Sequence, residues 1–183
     1  DWSVEGPLSP DQASCTGYLP GGIGWYRKTF QLPADSKGKQ VYVYFEGVYR
    51  NGEVYINGHS LGMRPNGYIS YMYELTPYLK EGTNVLAVRV DHSESADSRW
   101  YTGSGIYRDV YLITANPIHI DQWGVSYTTP VVSAQQAIIR IHTRVTNATK
   151  QAGSITVVQE WLDHGKVIAQ TAEKLPIKSG DTS

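Results

Sequence analysis

The chain has 183 residues, 16 Lys and Arg against 17 Asp and Glu for a formal net charge of −1, and one cysteine, Cys15. That length holds one large or two small domains. The balanced charge, with no basic stripe, excludes a nucleic-acid surface, and no apolar run approaches the length of a membrane span. Cys15 has no internal partner for a disulfide, and no two of His59, His92, His119, His142 and His164 stand at metal-ligand spacing, so neither a metal nor another cofactor is expected. The opening Asp1-Trp2-Ser3-Val4-Glu5-Gly6-Pro7 lacks signal-peptide character and an initiating Met, and reads as a piece of a longer protein. The address of that protein is left unknown, with a periplasmic or extracellular one open.

Residues 1–24 are rich in Gly, Pro and Ser without a period, and are expected to form an irregular arm. From Trp25 to Leu32 the pattern alternates, with Tyr26, Phe30 and Leu32 on one face; Val41, Val43 and Phe45 then alternate against Tyr42, Tyr44 and Glu46. Both are half-buried strands. Asn57-Gly58, between Glu53–Ile56 and His59-Ser60-Leu61, predicts a two-residue hairpin turn. A strand is expected over Tyr68–Glu74, and Thr76-Pro77 is expected to cap one helical turn through Leu79. Strands at Val85–Val90 and Ile106–Ile113 follow. Pro117 then breaks the pattern, and further strands are expected over 118–127, 137–145, 154–162 and 167–171, the last two joined by a turn at Asp163-His164-Gly165-Lys166. In the second of these, Ile139, Ile141, Thr143 and Val145 face one way and Arg140, His142 and Arg144 the other. Closely spaced strands without a long helical period indicate antiparallel sandwiches.

The densest chemistry lies in Ser98-Arg99-Trp100-Tyr101-Thr102-Gly103-Ser104-Gly105, where a cation, two aromatics and two glycines precede a strand. The glycines permit a tight bend and close approach, and the three large side chains suit a ligand-facing loop. A strand-entry loop whose aromatics cap a core edge fits the same residues. Tyrosine is unusually common, 14 against 2 Phe and with 5 Trp. A flat ring with a polar handle can pack on the C–H face of a pyranose, and it is also an ordinary strand residue.

Several segments, in order, resemble the N-terminal sugar-binding domain of family 2 glycoside hydrolases, the family of β-galactosidases, β-glucuronidases and β-mannosidases. They are Asp1-Trp2-Ser3, Gly21–Phe30, Val54–His59, Gly67-Tyr68, Leu75–Leu79, Asn84–Val90 and Gly105-Ile106-Tyr107-Arg108-Asp109-Val110-Tyr111-Leu112. The resemblance implies a jelly-roll-like antiparallel β-sandwich over 1–115, followed over 116–183 by an immunoglobulin-like β-sandwich domain. The second would be truncated, because such a fold usually needs about 100 residues.

A retaining glycosidase needs two carboxylates about 5–5.5 Å apart. Glu46, Glu53, Glu74, Asp91, Glu94, Asp97 and Asp109 form no recognisable catalytic pair. In the family the catalytic glutamates belong to a later barrel, so this chain alone is expected to be inactive, with no catalytic residue of its own. The resemblance implies that the piece shapes the substrate cleft, with two partners, the catalytic barrel and a terminal β-linked sugar, and with β-galactosidase as the activity of the longer protein. The family pattern has a sugar-contacting Asp six residues before the Gly of Gly-Ile-aromatic-Arg; here that position is Arg99, with Asp97 two residues earlier. Arg99, Trp100, Asp97 and Tyr101 are therefore the candidate substrate-binding residues. Arg99 can donate paired hydrogen bonds to hydroxyls or to a carboxylate, or it can pair with Asp97 or Glu94 to stiffen the loop. Arg108 is expected to pair with an acid across the sheet. Arg64 to Tyr68 can line the cleft or only connect strands, the second being the preferred reading, and Trp25, Tyr26 and Arg27 read as residues tying the arm to the sandwich. A stand-alone carbohydrate-binding module, a purely structural packing domain and a homo-oligomer stay open.

Overall fold

A computed structural model describes residues 8–10, 21–94 and 102–182. The chain divides into two units, Asp1–Thr114 and Ala115–Ser183. In the first unit the strands are β1 (Gly22–Phe30), β2 (Gln40–Phe45), β3 (Val48–Tyr49), β4 (Gly52–Ile56), β5 (His59–Arg64), β6 (Tyr71–Glu74), β7 (Asn84–His92), β8 (Gly105–Ile106) and β9 (Val110–Ala115). They form a sheet in the order β1-β7-β4-β5, a second in the order β6-β2-β9, and a short β3-β8 pair.

Alternation decides which side chains close the two sheets on each other. Val41, Val43 and Phe45 of β2 meet Val54 and Ile56 of β4 and Val88 and Val90 of β7 in one buried cluster, joined by Val48, Tyr71 and Leu75. Tyr26, Phe30 and Leu32 pack against it, on the face their spacing predicts. The Asn57-Gly58 hairpin forms with both residues at positive φ, 50° and 89°. Only the two-residue turns that match strand twist need this, and Asn and Gly tolerate it best.

Four local expectations are corrected. The irregular arm does not extend to residue 24, because Gly22, Ile23 and Gly24 already pair with His92, Asp91 and Val90. The strand expected from Tyr68 begins only at Tyr71, because Asn66 Oδ1 accepts the Tyr68 amide at 2.8 Å and folds 66–68 into a turn. The strand expected over 106–113 is broken at 107–109. There the chain leaves β3 for the β2 edge, with Tyr107 N donating to Gly47 O at 3.3 Å and Glu46 N to Asp109 O at 3.1 Å. The short turn at Thr76–Tyr78 has Leu75, not Thr76, at its cap position; Thr76 Oγ1 instead accepts the Val41 amide at 2.9 Å.

In the second unit β10 (Ile118–Val132), β11 (Ala137–Asn147) and β14 (Asp181–Thr182) form one sheet, and β12 (Gly153–Asp163) and β13 (Lys166–Ile177) another. Along β11, Arg140, His142 and Arg144 are exposed while Ile141, Thr143 and Val145 turn away from solvent. Gln159 Nε2 on β12 donates to Thr143 Oγ1 at 3.1 Å. The β12–β13 turn has His164 and Gly165 at positive φ. Strands β10 and β13 run five and six residues beyond their expected C-terminal ends. The fold is all-β, as the spacing of strands and turns indicates.

Candidate functional site

Residues 94 and 102 flank the segment 95–101, and the groups beneath them are the described part of the candidate site. His92 ends β7 on the inward parity shared by Val88 and Val90, and is only 4% exposed. A buried imidazole needs partners for both nitrogens. Its Nδ1 lies 2.6 Å from Ser104 Oγ and its Nε2 3.3 Å from Thr102 Oγ1. Both hydroxyls are buried, and each can donate or accept, so either neutral tautomer is accommodated. One side chain thus ties the outgoing strand to the returning stem.

Aromatic packing extends this anchor. The Tyr49 ring, buried, meets the His92 ring edge-on at 5.0 Å and the exposed Tyr68 ring at 5.3 Å. Gly67 makes this possible: a Cβ there would stand 2.1 Å from the Tyr49 ring. Tyr107 Oη donates to Gly67 O at 2.8 Å and fixes the same turn from the other side. Of the two readings of Arg64–Tyr68, a strand connection is preferred to a cleft-lining turn; the structure sets its end, Gly67 and Tyr68, against Tyr107 and Tyr49.

Charges fasten the outgoing stem. Arg50 forms an ion pair with Glu94. The Tyr49–Arg50 peptide is cis, and Asn51, at φ 49°, donates through Nδ2 to Asp91 O at 3.0 Å. Asp91 Oδ1 accepts from Ser93 Oγ at 2.6 Å and from Ser93 N at 3.1 Å, and Arg89 reaches Asp91 Oδ2 at 2.9 Å. The Ser93 hydroxyl, followed by the Ser93 amide and Arg89, holds the Asp91 carboxyl below its ordinary value against the opposing effect of burial. A folded-state pKa below the unfolded one stabilises at every pH above the unfolded value, and that contribution is lost as pH falls through the folded value. Hydrogen-exchange protection of the Ser93 amide, corrected for intrinsic rate, is expected to stay level from neutrality down to about pH 5 and to fall only below about pH 4. Loss of protection near pH 6 would assign the control to a histidine instead.

The family pattern described as glycosyl hydrolases family 2, sugar binding domain, matches residues 3–117. The chain belongs to glycoside hydrolase family 2. It is 47% identical over 98% of its length to a β-galactosidase of Bacteroides ovatus, covering 22% of that protein. It is 35% identical to a β-glucuronidase of Formosa agariphila, with 87% of this chain and 18% of the relative aligned. Among solved structures, a β-glycosidase from Bacteroides vulgatus superposes with a TM-score of 0.85 at 44% identity, over 96% of this chain and 23% of that one. The chain thus spans about a fifth of the length of the curated relatives it matches.

Within this family 2 sugar-binding domain, Asp97, Arg99, Trp100 and Tyr101 lie outside the described residues. Glu94, one of the two acids considered as a partner for Arg99, is engaged by Arg50. Arg108 makes no ion pair among the described residues; it is exposed at the strand break and stands over the Tyr107 ring at 6.0 Å. Two further acids serve separate local contacts, Glu53 with Ser60 and Asp109 with Tyr111. Sequence reasoning gave no individual role to His92, Tyr49, Thr102 or Ser104. The available signal was parity: a histidine on the inward face of β7, one step before a loop, has to find buried partners.

Proposed function

We propose that this chain is the N-terminal, non-catalytic part of a retaining glycoside hydrolase that removes terminal β-linked sugars, with a β-galactoside as substrate. The residues 95–101 present Arg99, Trp100, Asp97 and Tyr101 to the sugar. Arg99 donates paired hydrogen bonds, Trp100 offers a stacking face, and the domain packs on a catalytic barrel elsewhere in the longer protein. The observation that carries this reading is the His92 anchor, which ties both stems of the loop beside the Tyr49–Tyr68 rim. Flanks so joined suit a contact made at the edge of another domain's cleft. The 47% identity to a β-galactosidase supports the choice of sugar.

Residues 116–183 belong, in this reading, to an immunoglobulin-like domain completed by further strands of the longer protein. Val125 and Tyr127 of β10 support it, being 55% and 72% exposed where they stand opposite Thr143 and Ile141 of β11.

The test is hydrolysis of aryl β-galactoside, β-glucuronide, β-glucoside and β-mannoside by the full-length protein, with residues 1–183 as control. Turnover of the galactoside above the other three, with none by the short chain, is the expected result. Turnover of the glucuronide alone would move the substrate to an acidic sugar, and no turnover of any would overturn the enzyme reading.

A further inference from the structure

Asparagine is followed by glycine at Asn51-Gly52, Asn57-Gly58 and Asn66-Gly67. Such a pair carries its own chemistry. The glycine main-chain nitrogen can attack the asparagine side-chain carbon Cγ, because glycine has no Cβ to obstruct the approach. A fold permits this when the side chain lies over the next peptide, when a donor steadies the carbonyl oxygen as it gains negative charge, and when Nδ2 is free to leave. Asn57 is locked away from it. Its Nδ2 donates at 2.8 Å to both Tyr78 O and Asn84 Oδ1, and its Oδ1 accepts the Val85 amide at 2.9 Å. Asn51 is tied through Nδ2 to Asp91 O at 3.0 Å, and Gly52 is already the first residue of β4, paired with Arg64.

Asn66 differs on each count. Its Oδ1 accepts the Tyr68 amide at 2.8 Å. The ring closed by that bond contains Gly67 N, so the side chain is folded back over the peptide whose nitrogen is the nucleophile. The same Tyr68 N–H stands ready to steady Oδ1 as an oxyanion. Among the described residues, neither Asn66 Nδ2 nor the Gly67 amide donates a hydrogen bond. The leaving group and the nucleophile are both uncommitted, and the one contact the side chain makes favours the attack.

We propose that Asn66 is a site of spontaneous deamidation and isoaspartate formation in the folded protein. Gly67 N gives up its proton and bonds to Asn66 Cγ; the Cγ–Nδ2 bond breaks, and Nδ2 leaves with that proton as ammonia. Water then opens the cyclic imide. Addition at Cγ restores the ordinary chain with an aspartate. Addition at the main-chain carbonyl carbon breaks its bond to Gly67 N and routes the chain through the side chain, as isoaspartate. Either product sets a carboxylate in the turn that ends at the Tyr49–Tyr68 rim. Isoaspartate also lengthens the main chain just before Gly67, whose carbonyl accepts Tyr107 Oη at 2.8 Å. The reaction uses only this chain and water, so the inference is independent of the sugar and of residues 95–101.

It is tested by incubating the full-length protein, folded, in mildly alkaline buffer and mapping its peptides by mass spectrometry, with fragmentation that separates isoaspartate from aspartate. Asn66 is expected to convert about tenfold faster or more than Asn51 and Asn57. In urea the three should convert at similar rates, because the hydrogen bonds that distinguish them are gone. Asn66→Ser, whose hydroxyl can still accept from the Tyr68 amide, should remove most of the isoaspartate formed by the folded protein. A folded-state rate at Asn66 no faster than at Asn51 or Asn57 would overturn the proposal, and so would the same order of rates in urea as in the folded protein.

Discussion

Replacing His92 with alanine is expected to lower kcat/KM of the full-length protein for its aryl β-glycoside by about tenfold to a hundredfold, the scale of a contact misplaced by an ångström. The substitution removes the common partner of Ser104 and Thr102 and leaves two buried hydroxyls to find new ones. Orphaned buried hydrogen-bonding groups cost about 1–3 kcal/mol, so thermal stability should fall as well. His92→Gln, which keeps a donor and an acceptor, should recover part of both activity and stability. A positioning role makes a further demand. His92 acts through the loop that carries Arg99, so the effects of His92→Ala and Arg99→Ala should not add in a double-mutant cycle. Full additivity in kcat/KM would mean that the anchor and the loop residues work independently.

The second large effect is expected from Gly67→Ala. The new Cβ would meet the Tyr49 ring at 2.1 Å, and that ring is already held between His92 and Tyr68. Because Tyr49 is buried, it cannot swing away into solvent. Overpacking of this kind costs about 1–3 kcal/mol. The shift should also strain the Tyr107–Gly67 hydrogen bond, which lies on the opposite side of the same turn. Chemical denaturation of the Gly67→Ala protein should show a lowered midpoint with an unchanged slope. An unchanged midpoint would mean that the turn relaxes without moving Tyr49, and that the rim is less tightly built than its distances indicate.

The strands with one wet face were legible because period-2 alternation is a local property. Val41, Val43 and Phe45 could be assigned to the core, and Asn57-Gly58 to a tight turn, from a few adjacent residues. The misreadings occur where a distant partner decides. Ile106–Ile113 looks continuous in sequence, but the chain changes partner from β3 to β2 at residues 107–109, and only the fold supplies those edges. Tyr68 reads as a strand residue until the Asn66 side chain captures its amide. Thr76 has the chemistry of a cap, yet its hydroxyl is taken by Val41, 35 residues away in sequence.

The candidate site divides along the same line. The run Arg99-Trp100-Tyr101 stands out because cation, aromatic and glycine fall together in sequence. The groups that anchor its stems do not: Tyr49, Gly67, His92 and Ser104 come from four separate stretches. Arg50 and Glu94, 44 residues apart, meet only because β4 and β7 are neighbours. Alternation exposes Trp25 and Tyr55 separately, but their contact across Ala87 depends on the strand order β1-β7-β4.

The most direct test of the account is steady-state kinetics of Arg99→Ala and Trp100→Ala in the full-length protein, on the aryl β-glycoside it turns over. The account predicts a fall in kcat/KM of about tenfold or more for at least one of the two, with the melting temperature held within a degree or so of the unsubstituted protein. Equal kcat/KM for both variants and the unsubstituted enzyme would contradict it, and would leave Arg99 and Trp100 without a part in binding the sugar.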